Sequence, residues 1–376
     1  MNYWNLSINI YLVISIIGIL VLIKTANLPQ KSSNSKPETT PKVSIIVPTR
    51  NEERNIENCL NSLLAISYPD YEIIVVDGDS EDKTAEIVKS MISDYPQITF
   101  FKEPPLPEGW VGKSWGCYNG QKRATGEILL FTDADTIHTP ESLNVMVNEL
   151  ESSNGFASLL TTQVFKSFWE HMLTIIFVII SIAVNGAKGN NQSHIANGQY
   201  MMFRRDTYDR LDGHEVVKDS VIEDLALGSF AASQGTPPKL LTHKNLVFTR
   251  MYQSLGDIHR GFSKNIALGM EKVGLQNVTK AAIITMWGMF GIFLCTIMVF
   301  VNALTTFSLI IVLGNYLIFS LTLFVFESNI SSTGTVFVLF YPIYFIMFWI
   351  IVGRSIIQTR VKKQISWKNR SYAVQT

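Results

Sequence analysis

Two short apolar segments, VSIIVP at Val43–Pro48 and YEIIVV at Tyr71–Val76, set the architecture of this chain. Each has the length and composition of a buried β-strand, and the residues between them repeat apolar side chains at helical spacing. The same rhythm continues downstream, where strand-like and helix-like segments alternate. These further segments are a helix at Ile56–Ile66, a helix at Thr84–Met91, a strand at Ile98–Phe101 and a strand at Ile128–Phe131. Such alternation predicts parallel strands joined by right-handed crossovers.

The composition indicates a membrane protein with a globular part. Of the 376 residues, 47% are hydrophobic and only 16% are charged, against roughly 25% charged residues in typical soluble domains. Lys plus Arg and Asp plus Glu both number 31, so the chain has no basic surplus for a nucleic-acid backbone. The three cysteines are far apart and fit neither a disulfide framework nor a zinc site.

The excess of apolar residues is concentrated in four uncharged stretches, one near the start and three near the end of the chain. Each is long enough to cross a bilayer. The first is favoured as an uncleaved anchor over a signal peptide, because Met1–Asn5 contains no Lys or Arg. The four stretches are Leu6–Ile23, Ala281–Val301, Ala303–Phe326 and Thr335–Val352.

A fifth apolar segment, Met172–Val184, is too short to span and is predicted as an interfacial or buried helix. These features predict three regions: an anchor and linker at 1–41, a globular domain at 42–279, and a membrane region with a basic tail at 280–376. Lysines after the first stretch favour a cytoplasmic globular domain in a multi-pass protein of the cell membrane. Three C-terminal crossings would place the basic tail outside, against the charge rule, so its side stays open.

Four clusters of polar and acidic residues follow the predicted strands or begin a helix. They are Pro48–Glu53, Asp77–Thr84, Phe131–Thr136 and Val221–Leu227, the last with the adjacent acids Glu223 and Asp224. Ligands of open α/β sheets bind at the carboxyl ends of strands. Asp133 and Asp135, spaced i and i+2 after a strand, could share a divalent cation, and the last cluster could provide a general base. Helix capping is the alternative explanation for the first, second and fourth clusters.

In their order along the chain, VSIIVPTRNEE, VVDGDSEDKT, FTDADT and IED resemble glycosyltransferase family 2. The resemblance covers residues 43 to about 265. It implies a GT-A fold, which is a Rossmann-like mixed sheet with helices on both faces, here with transmembrane helices at both ends. It also implies a UDP-sugar donor and a divalent metal, Mn²⁺ or Mg²⁺. The metal would bind at the DxD pair, Asp133 and Asp135, and Asp224 would be the catalytic base.

The same resemblance assigns residues to the donor. Thr49, Glu52 and Asp77 would bind uridine, Lys113 would meet the donor phosphate, and Arg260 would lie on the leaving diphosphate. The complete set expected to bind the nucleotide sugar is Pro48, Thr49, Glu52, Asp77, Asp79, Lys113, Asp133 and Arg260.

The segment GWVGKSWGC at Gly109–Cys117 is similar to enzymes that glycosylate ceramides, hopanoids and carotenoids. Phe262 stands where polysaccharide synthases carry a Trp in Q-x-x-R-W, which makes a processive polymerase less favoured. The implied function is a membrane-bound inverting transfer of a sugar, glucose above all, to a lipid acceptor such as a carotenoid carboxylate. Residues expected on the acceptor side are Trp115, Gly198, Gln199, His214 and Glu223.

Other functions stay open from the sequence. The acceptor could be diacylglycerol, a hopanoid or a polyprenyl phosphate. A transporter, a membrane scaffold with a degenerate domain, and a soluble nucleotidyltransferase are the alternatives from other classes. The absence of ionisable residues from Ala281–Val301 and Ala303–Phe326 counts against a transporter, and the retained acidic clusters count against a degenerate domain. The sequence does not indicate an oligomeric state.

Overall fold

A mixed eight-stranded sheet occupies the centre of the computed structural model, which describes residues 39–186, 195–273, 305–332 and 336–361, together with shorter pieces near both ends. A three-stranded sheet and a C-terminal hairpin complete the β-structure. The strands are β1 Gln30–Lys31, β2 Val43–Thr49, β3 Tyr71–Asp77, β4 Ile98–Lys102, β5 Ile128–Thr132, β6 Thr136–His138, β7 Phe156–Leu160, β8 Thr162–Gln163, β9 Tyr200–Arg204, β10 Lys239–Thr242, β11 Val247–Thr249, β12 Gln364–Trp367 and β13 Arg370–Ala373.

The helices flank the sheet and then continue into the apolar region. Short 3₁₀ turns lie at Phe168–His171, Gly213–Val217 and Val336–Phe340, and a π-helical turn lies at Ile357–Val361. The α-helices are α1 Ile56–Leu64, α2 Thr84–Ile92, α3 Gly112–Arg123, α4 Ser142–Glu151, α5 Met172–Gly186, α6 Arg205–Arg210, α7 Glu223–Ser233, α8 Leu255–Val273, α9 Thr306–Ile330 and α10 Tyr341–Ile356.

The central sheet has the order β1-β10-β7-β9-β5-β2-β3-β4, and β9 runs antiparallel to its neighbours β5 and β7. The predicted strands and helices from Val43 to Phe131 are confirmed, and so is the mixed α/β architecture. Because β2, β3 and β5 are parallel neighbours, their carboxyl ends meet at one edge. There Thr49 pairs in register with Asp77.

Successive residues of the central strands point alternately into two apolar cores, one on each face of the sheet. Ile45 and Val47 of β2 face α1, α2 and α4, whereas Ile46 faces α3, α6 and α7 on the other side. All three side chains are fully buried. This period-two pattern explains why the strands read as continuous apolar runs: both faces of the sheet are covered by helices.

A third apolar core joins α5 to α9 and α10. In the described part of the chain, two helical segments, Thr306–Ile330 and Val336–Thr359, are long and apolar enough to cross a membrane. They correspond to two of the predicted spans. The short segment predicted at Met172–Val184 is a helix, α5, whose first turns are buried against them. The predicted spans at Leu6–Ile23 and Ala281–Val301 lie mostly outside the described residues.

The contact of α3 with the sheet provides a test of this packing. A Cβ at Gly120 would overlap with Ile46 of β2 and crowd Val76 of β3. We expect Gly120→Ala to lower the free energy of unfolding by about 1–3 kcal/mol through overpacking. Thermal unfolding of the purified protein measures the loss. Gly269→Ala in α8 is the matched control, because no atom of the described chain lies within 4 Å of that Cβ. Equal unfolding temperatures for the two variants would contradict the packing.

Candidate active site

A cavity of about 770 Å³ opens at the edge where β2, β3 and β5 end. Its lining combines segments that are far apart in sequence, from Pro48 near β2 to Gln358 after α10. Eleven of the residues predicted for the site line this cavity. They are Pro48, Thr49, Glu52, Lys113, Asp133, Asp135, Gly198, Gln199, Glu223, Asp224 and Arg260.

The ammonium group of Lys113 links two of the predicted acidic clusters. Its Nζ lies 2.7 Å from Asp133 Oδ1 and 2.8 Å from Glu223 Oε1, and it donates to the carbonyl of Gly198 at 3.3 Å. Burial alone would lower the pKa of Lys113, but the carboxylates of Asp133, Glu223 and Asp224 raise it well above its usual value. Lys113 is therefore charged in the cavity and offsets part of the acidic charge around it.

The carboxylate of Asp224 is held by two backbone donors. Oδ2 accepts from the N–H of Gly198 at 2.9 Å, and Oδ1 accepts from its own helix at Leu225 N–H, 2.8 Å away. Burial, followed by the negative charge of Glu223, raises the pKa of Asp224 from 3.8 to about 6, while Lys113 and the two N–H groups act in the opposite direction. This carboxyl group is fixed in orientation and can take up a proton near neutral pH.

Gly198 must lack a side chain for this arrangement. A Cβ there would stand 3.0 Å from Asp224 Oδ2, 3.0 Å from Lys113 Nζ and 3.1 Å from Glu223 Oε1. The close approach of the backbone lets its N–H and C=O bind Asp224 and Lys113 at the same time. Gly198 thus acts through its backbone, a role that its position in the sequence did not specify.

The loops after β2 and β3 are joined to each other by an ion pair and by hydrogen bonds. Arg50 pairs with Glu81 at 3.0 Å, and Asn51 Oδ1 accepts from the N–H of Glu81 at 2.8 Å. Asn51 adopts a φ of 52°, a left-handed conformation that Asn tolerates better than most residues. Glu52 accepts from the Asn55 side chain at 2.8 Å. These contacts fix the loop on which the predicted uridine-binding residues lie.

Four predicted residues do not line the cavity. Asp77 is buried beneath it and accepts from Ser80 N–H, whereas the exposed Asp79 pairs with Lys102 at 2.5 Å. Trp115 donates to the carbonyl of Pro104 at 2.9 Å and packs on Trp110 and Tyr118.

His214 is the fourth of these residues and lies in the core. It is fully buried, stands 2.6 Å from the hydroxyl of Tyr208, and packs against Phe131. Burial, and then the charge of Lys113, lowers the pKa of His214 to about 3, so the ring is neutral. His214 therefore makes packing contacts in the core of the domain. A role for it on the acceptor side of the site stays a prediction.

Asp133 and Asp135 both line the cavity at the turn between β5 and β6. Within the described chain, no group of three or more His, Cys, Asp or Glu side chains is placed so that it could hold a metal ion by itself. The two carboxylates offer hard oxygen ligands, and a divalent cation there would complete its coordination with water and phosphate oxygens. This donor set fits Mg²⁺ or Mn²⁺ held jointly by the protein and a diphosphate.

Sequence reasoning missed the contribution of the C-terminal helix. Arg354 and Gln358 line the cavity from the end of α10 and the π-helical turn that follows it. In the sequence, Arg354 stands among the basic residues of the tail, which were interpreted only as signals of membrane orientation. The one feature of the sequence that could have pointed to this role is that Arg354 comes just after the predicted membrane span Thr335–Val352.

Comparisons with known proteins agree with this architecture. Residues 44–212 match the family model described as glycosyl transferase family 2. The chain is 28% identical over 240 residues to 4,4'-diaponeurosporenoate glycosyltransferase of Staphylococcus haemolyticus, an alignment covering 62% of this chain and 63% of that protein. The Staphylococcus aureus protein of the same name is 26% identical over 260 residues, with 67% of each chain covered.

Among solved structures, a mannosyltransferase from Pyrobaculum calidifontis, described in complex with GDP-mannose and Mn²⁺, matches with a TM-score of 0.54. It is 18% identical, and the match covers 95% of this chain and 99% of that one, which supports a common fold. The residues matched by the family model lie within the region 42–279 that the sequence predicts to be globular, and they include most strands of the mixed sheet. Residues 44–212 thus resemble glycosyl transferase family 2, and the chain as a whole is similar to the 4,4'-diaponeurosporenoate glycosyltransferases.

Proposed function

We propose that this protein transfers a hexose, glucose in the simplest case, from a UDP-sugar to a lipid carboxylate such as a carotenoid acid, with inversion at the anomeric carbon. One observation carries the proposal: a single cavity has an acidic floor containing Lys113 and Asp224, and a wall formed by α8 and the end of an apolar helix. The name of the similar staphylococcal proteins supports a carboxylate as the acceptor.

The donor is expected to enter on the side of the β2 and β3 loops. Thr49 and Glu52, together with the fastened loop around Arg50, would hold the nucleoside, and Asp77 and Asp79 would contribute from the second loop. Lys113 and Arg260 would face the diphosphate. A divalent cation held by Asp133 and Asp135 would neutralise charge on that leaving group.

In the transfer step, an oxygen of the acceptor forms a bond to the anomeric carbon while the bond from this carbon to the diphosphate oxygen breaks. The electron pair leaves with UDP. A carboxylate acceptor, already ionised at neutral pH, gives a glycosyl ester without losing a proton. An alcohol acceptor must lose one, and Asp224, oriented by Gly198 and Leu225, would accept it.

The membrane region would bring the catalytic site close to an acceptor that stays in the bilayer. A polyene acceptor is too apolar to leave the bilayer readily, since exposing each CH₂ group to water costs roughly 0.8 kcal/mol. The apolar core shared by α5, α9 and α10 adjoins α8, which lines the cavity. We infer that the catalytic domain works at the cytoplasmic membrane surface.

Membranes that contain the protein, supplied with UDP-glucose and a carotenoid acid, are expected to form a glycosyl ester. Mass spectrometry identifies sugar and acceptor together. Mild alkali should cleave the product, because the acyl linkage of a glycosyl ester hydrolyses under conditions in which the acetal linkage of an O-glycoside survives. Membranes without the protein are the control. Transfer to diacylglycerol or a polyprenyl phosphate instead would overturn the acceptor assignment, and no transfer from any nucleotide sugar would overturn the enzymatic function.

The role of Asp224 is tested by Asp224→Asn with matched acid and alcohol acceptors. We expect transfer to the alcohol to fall by about 10²–10⁴-fold, whereas transfer to the acid stays within roughly tenfold of wild type. Initial rates with each acceptor measure the difference. Asp219→Asn, at an exposed position outside the cavity, is the control. An unchanged rate with the alcohol acceptor would remove Asp224 as the base.

The same variant has a predicted signature in stability. The pKa of Asp224 is raised in the folded state, so its contribution to stability is present below about pH 4 and is lost as the pH rises through about 6. Asn carries no such charge. The unfolding temperature of Asp224→Asn relative to wild type should therefore increase between about pH 5 and pH 7.5.

The metal assignment is tested by Mn²⁺ binding in the presence of UDP. Replacing both Asp133 and Asp135 by Asn is expected to weaken Mn²⁺ binding by about tenfold or more, because the protein loses its two hard ligands. Electron paramagnetic resonance of free Mn²⁺ measures the affinity without requiring activity. Glu57→Gln, on the exposed face of α1, serves as the control. Unchanged Mn²⁺ affinity in the double variant would refute this site.

A further inference from the structure

Six cationic side chains line the cavity, and two of them differ from the other four in their partners. Four of the six form ion pairs with carboxylates: Arg50 with Glu81, Lys113 with Asp133 and Glu223, Arg250 with Glu170, and Arg260 with Asp257. The remaining two, Arg54 and Arg354, have no carboxylate within ion-pair distance in the described part of the chain. Arg54 lies in the loop of the predicted nucleotide side. Arg354 lies in the last turn of α10.

The surroundings of Arg354 are positively charged. Its Nη1 donates to Nδ1 of His259 at 3.1 Å, so His259 accepts and carries its proton on Nε2. Burial, followed by the charges of Arg354 and Arg260, lowers the pKa of His259. The neutral ring therefore supports the guanidinium without offsetting its charge. Arg260, from the next position of α8, has its own partner Asp257 at 2.7 Å.

Part of the cavity lining is apolar and comes from the start of α8, the helix that contacts Arg354 through His259, and from the residues just before it. Met251, Tyr252 and Phe262 line the cavity, and the Tyr252 and Phe262 rings are in contact with centroids 5.3 Å apart. These three residues also pack against the core formed by α5, α9 and α10. An apolar chain that leaves the helices would follow this wall, and its polar end would arrive beside Arg354.

We propose that Arg354 binds the anionic end of the lipid acceptor and thereby sets the preference for acid over alcohol acceptors. The guanidinium would hold one carboxylate oxygen through charge-assisted hydrogen bonds and leave the other free to react. Gln358, one turn further along on the π-helical segment, supplies an uncharged donor on the same wall. This inference rests on the proposed function, because it names the residue that recognises the proposed acceptor.

The test compares two polyene probes of equal length, retinoic acid and retinol, which differ only in the anionic end. Binding to the full-length protein in nanodiscs is followed by quenching of tryptophan fluorescence, so no transfer is required. We expect Arg354→Gln to weaken retinoic acid binding by roughly tenfold to hundredfold, the range for a hydrogen bond to a charged group, with retinol binding unchanged. Arg354→Lys should recover part of the loss, because the charge is kept.

Two further measurements separate the possible outcomes. Arg204→Gln, at an exposed arginine outside the cavity, should leave both affinities as in wild type. UDP binding by calorimetry should be unchanged in Arg354→Gln, and weaker UDP binding with intact retinoic acid binding would assign Arg354 to the donor diphosphate and overturn the proposal. Equal losses for retinoic acid and retinol, or a lower unfolding temperature that Arg354→Lys does not restore, would assign it a structural role.

The binding test remains decisive if the proposed reaction fails. Failure of glucose transfer with Arg354-dependent retinoic acid binding would refute the proposed reaction and keep the anion subsite. Transfer to carotenoid acids that Arg354→Gln leaves at the wild-type rate, with unchanged retinoic acid affinity, would keep the reaction and refute the subsite.

Discussion

The ammonium group of Lys113 holds the acidic floor of the cavity together. It lies within 2.8 Å of carboxylates that come from two distant parts of the chain, the turn after β5 and the start of α7. Without this cation, Asp133, Glu223 and Asp224 would place three carboxyl groups in one partly buried space with only helix and backbone N–H groups to offset their charge. Removing one member of a buried ion pair leaves the other uncompensated, which is strongly destabilising. The geometry of the floor therefore depends on α3, which carries Lys113, being packed closely on the sheet through Gly120.

A second set of polar contacts connects the apolar helices to this floor. Glu327, fully buried near the end of α9, accepts from Thr174 of α5 at 2.7 Å and lies 3.0 Å from His171 Nδ1. The adjacent Glu170 binds Arg250, which lines the cavity. Carboxylates so deeply buried require partners. The partners of Glu327 lie on other elements, at His171 and Thr174, whereas Glu170 adds Arg250 to the hydrogen bonds that it accepts from Lys166 N–H and Ser167 Oγ of its own segment. The wall that carries Arg354 is thereby held in a fixed position relative to Asp224.

Much of the sheet could be predicted from sequence because its strands are buried on both faces and read as uninterrupted apolar runs. The acidic clusters could be placed together for a related reason: the ends of parallel strands share one edge. Local sequence patterns carry no information on contacts between residues far apart in the chain. The two Lys113 ion pairs and the hydrogen bonds of Glu327 with α5 and the turn before it could therefore not be predicted. His214 illustrates the converse. Its sequence neighbours resemble a family motif, but burial against Phe131 gives it core contacts. From the sequence, the positive charge of Arg354 indicated only membrane orientation. The packing of α10 on α8, which brings Arg354 to the cavity, is a contact between distant parts of the chain.

The buried carboxylates of the acidic floor lower the stability of the folded state, and other parts of the fold offset this loss. Burial raises the pKa of Asp224 to about 6, which means that the folded state resists its ionisation at neutral pH. The first turn of α7 and the N–H of Gly198 recover part of this loss, since helix N-termini and backbone donors favour negative charge. The rest must come from the apolar cores on the two faces of the sheet, where the side chains of β2 are fully buried. A carboxylate whose ionisation costs stability in the folded state is a poor structural element, but its raised pKa makes it a stronger proton acceptor than an ordinary aspartate. The same crowding of negative charge works against an anionic acceptor at the floor, and the proposed contact with Arg354, which lines the cavity from the end of α10, would offset that repulsion.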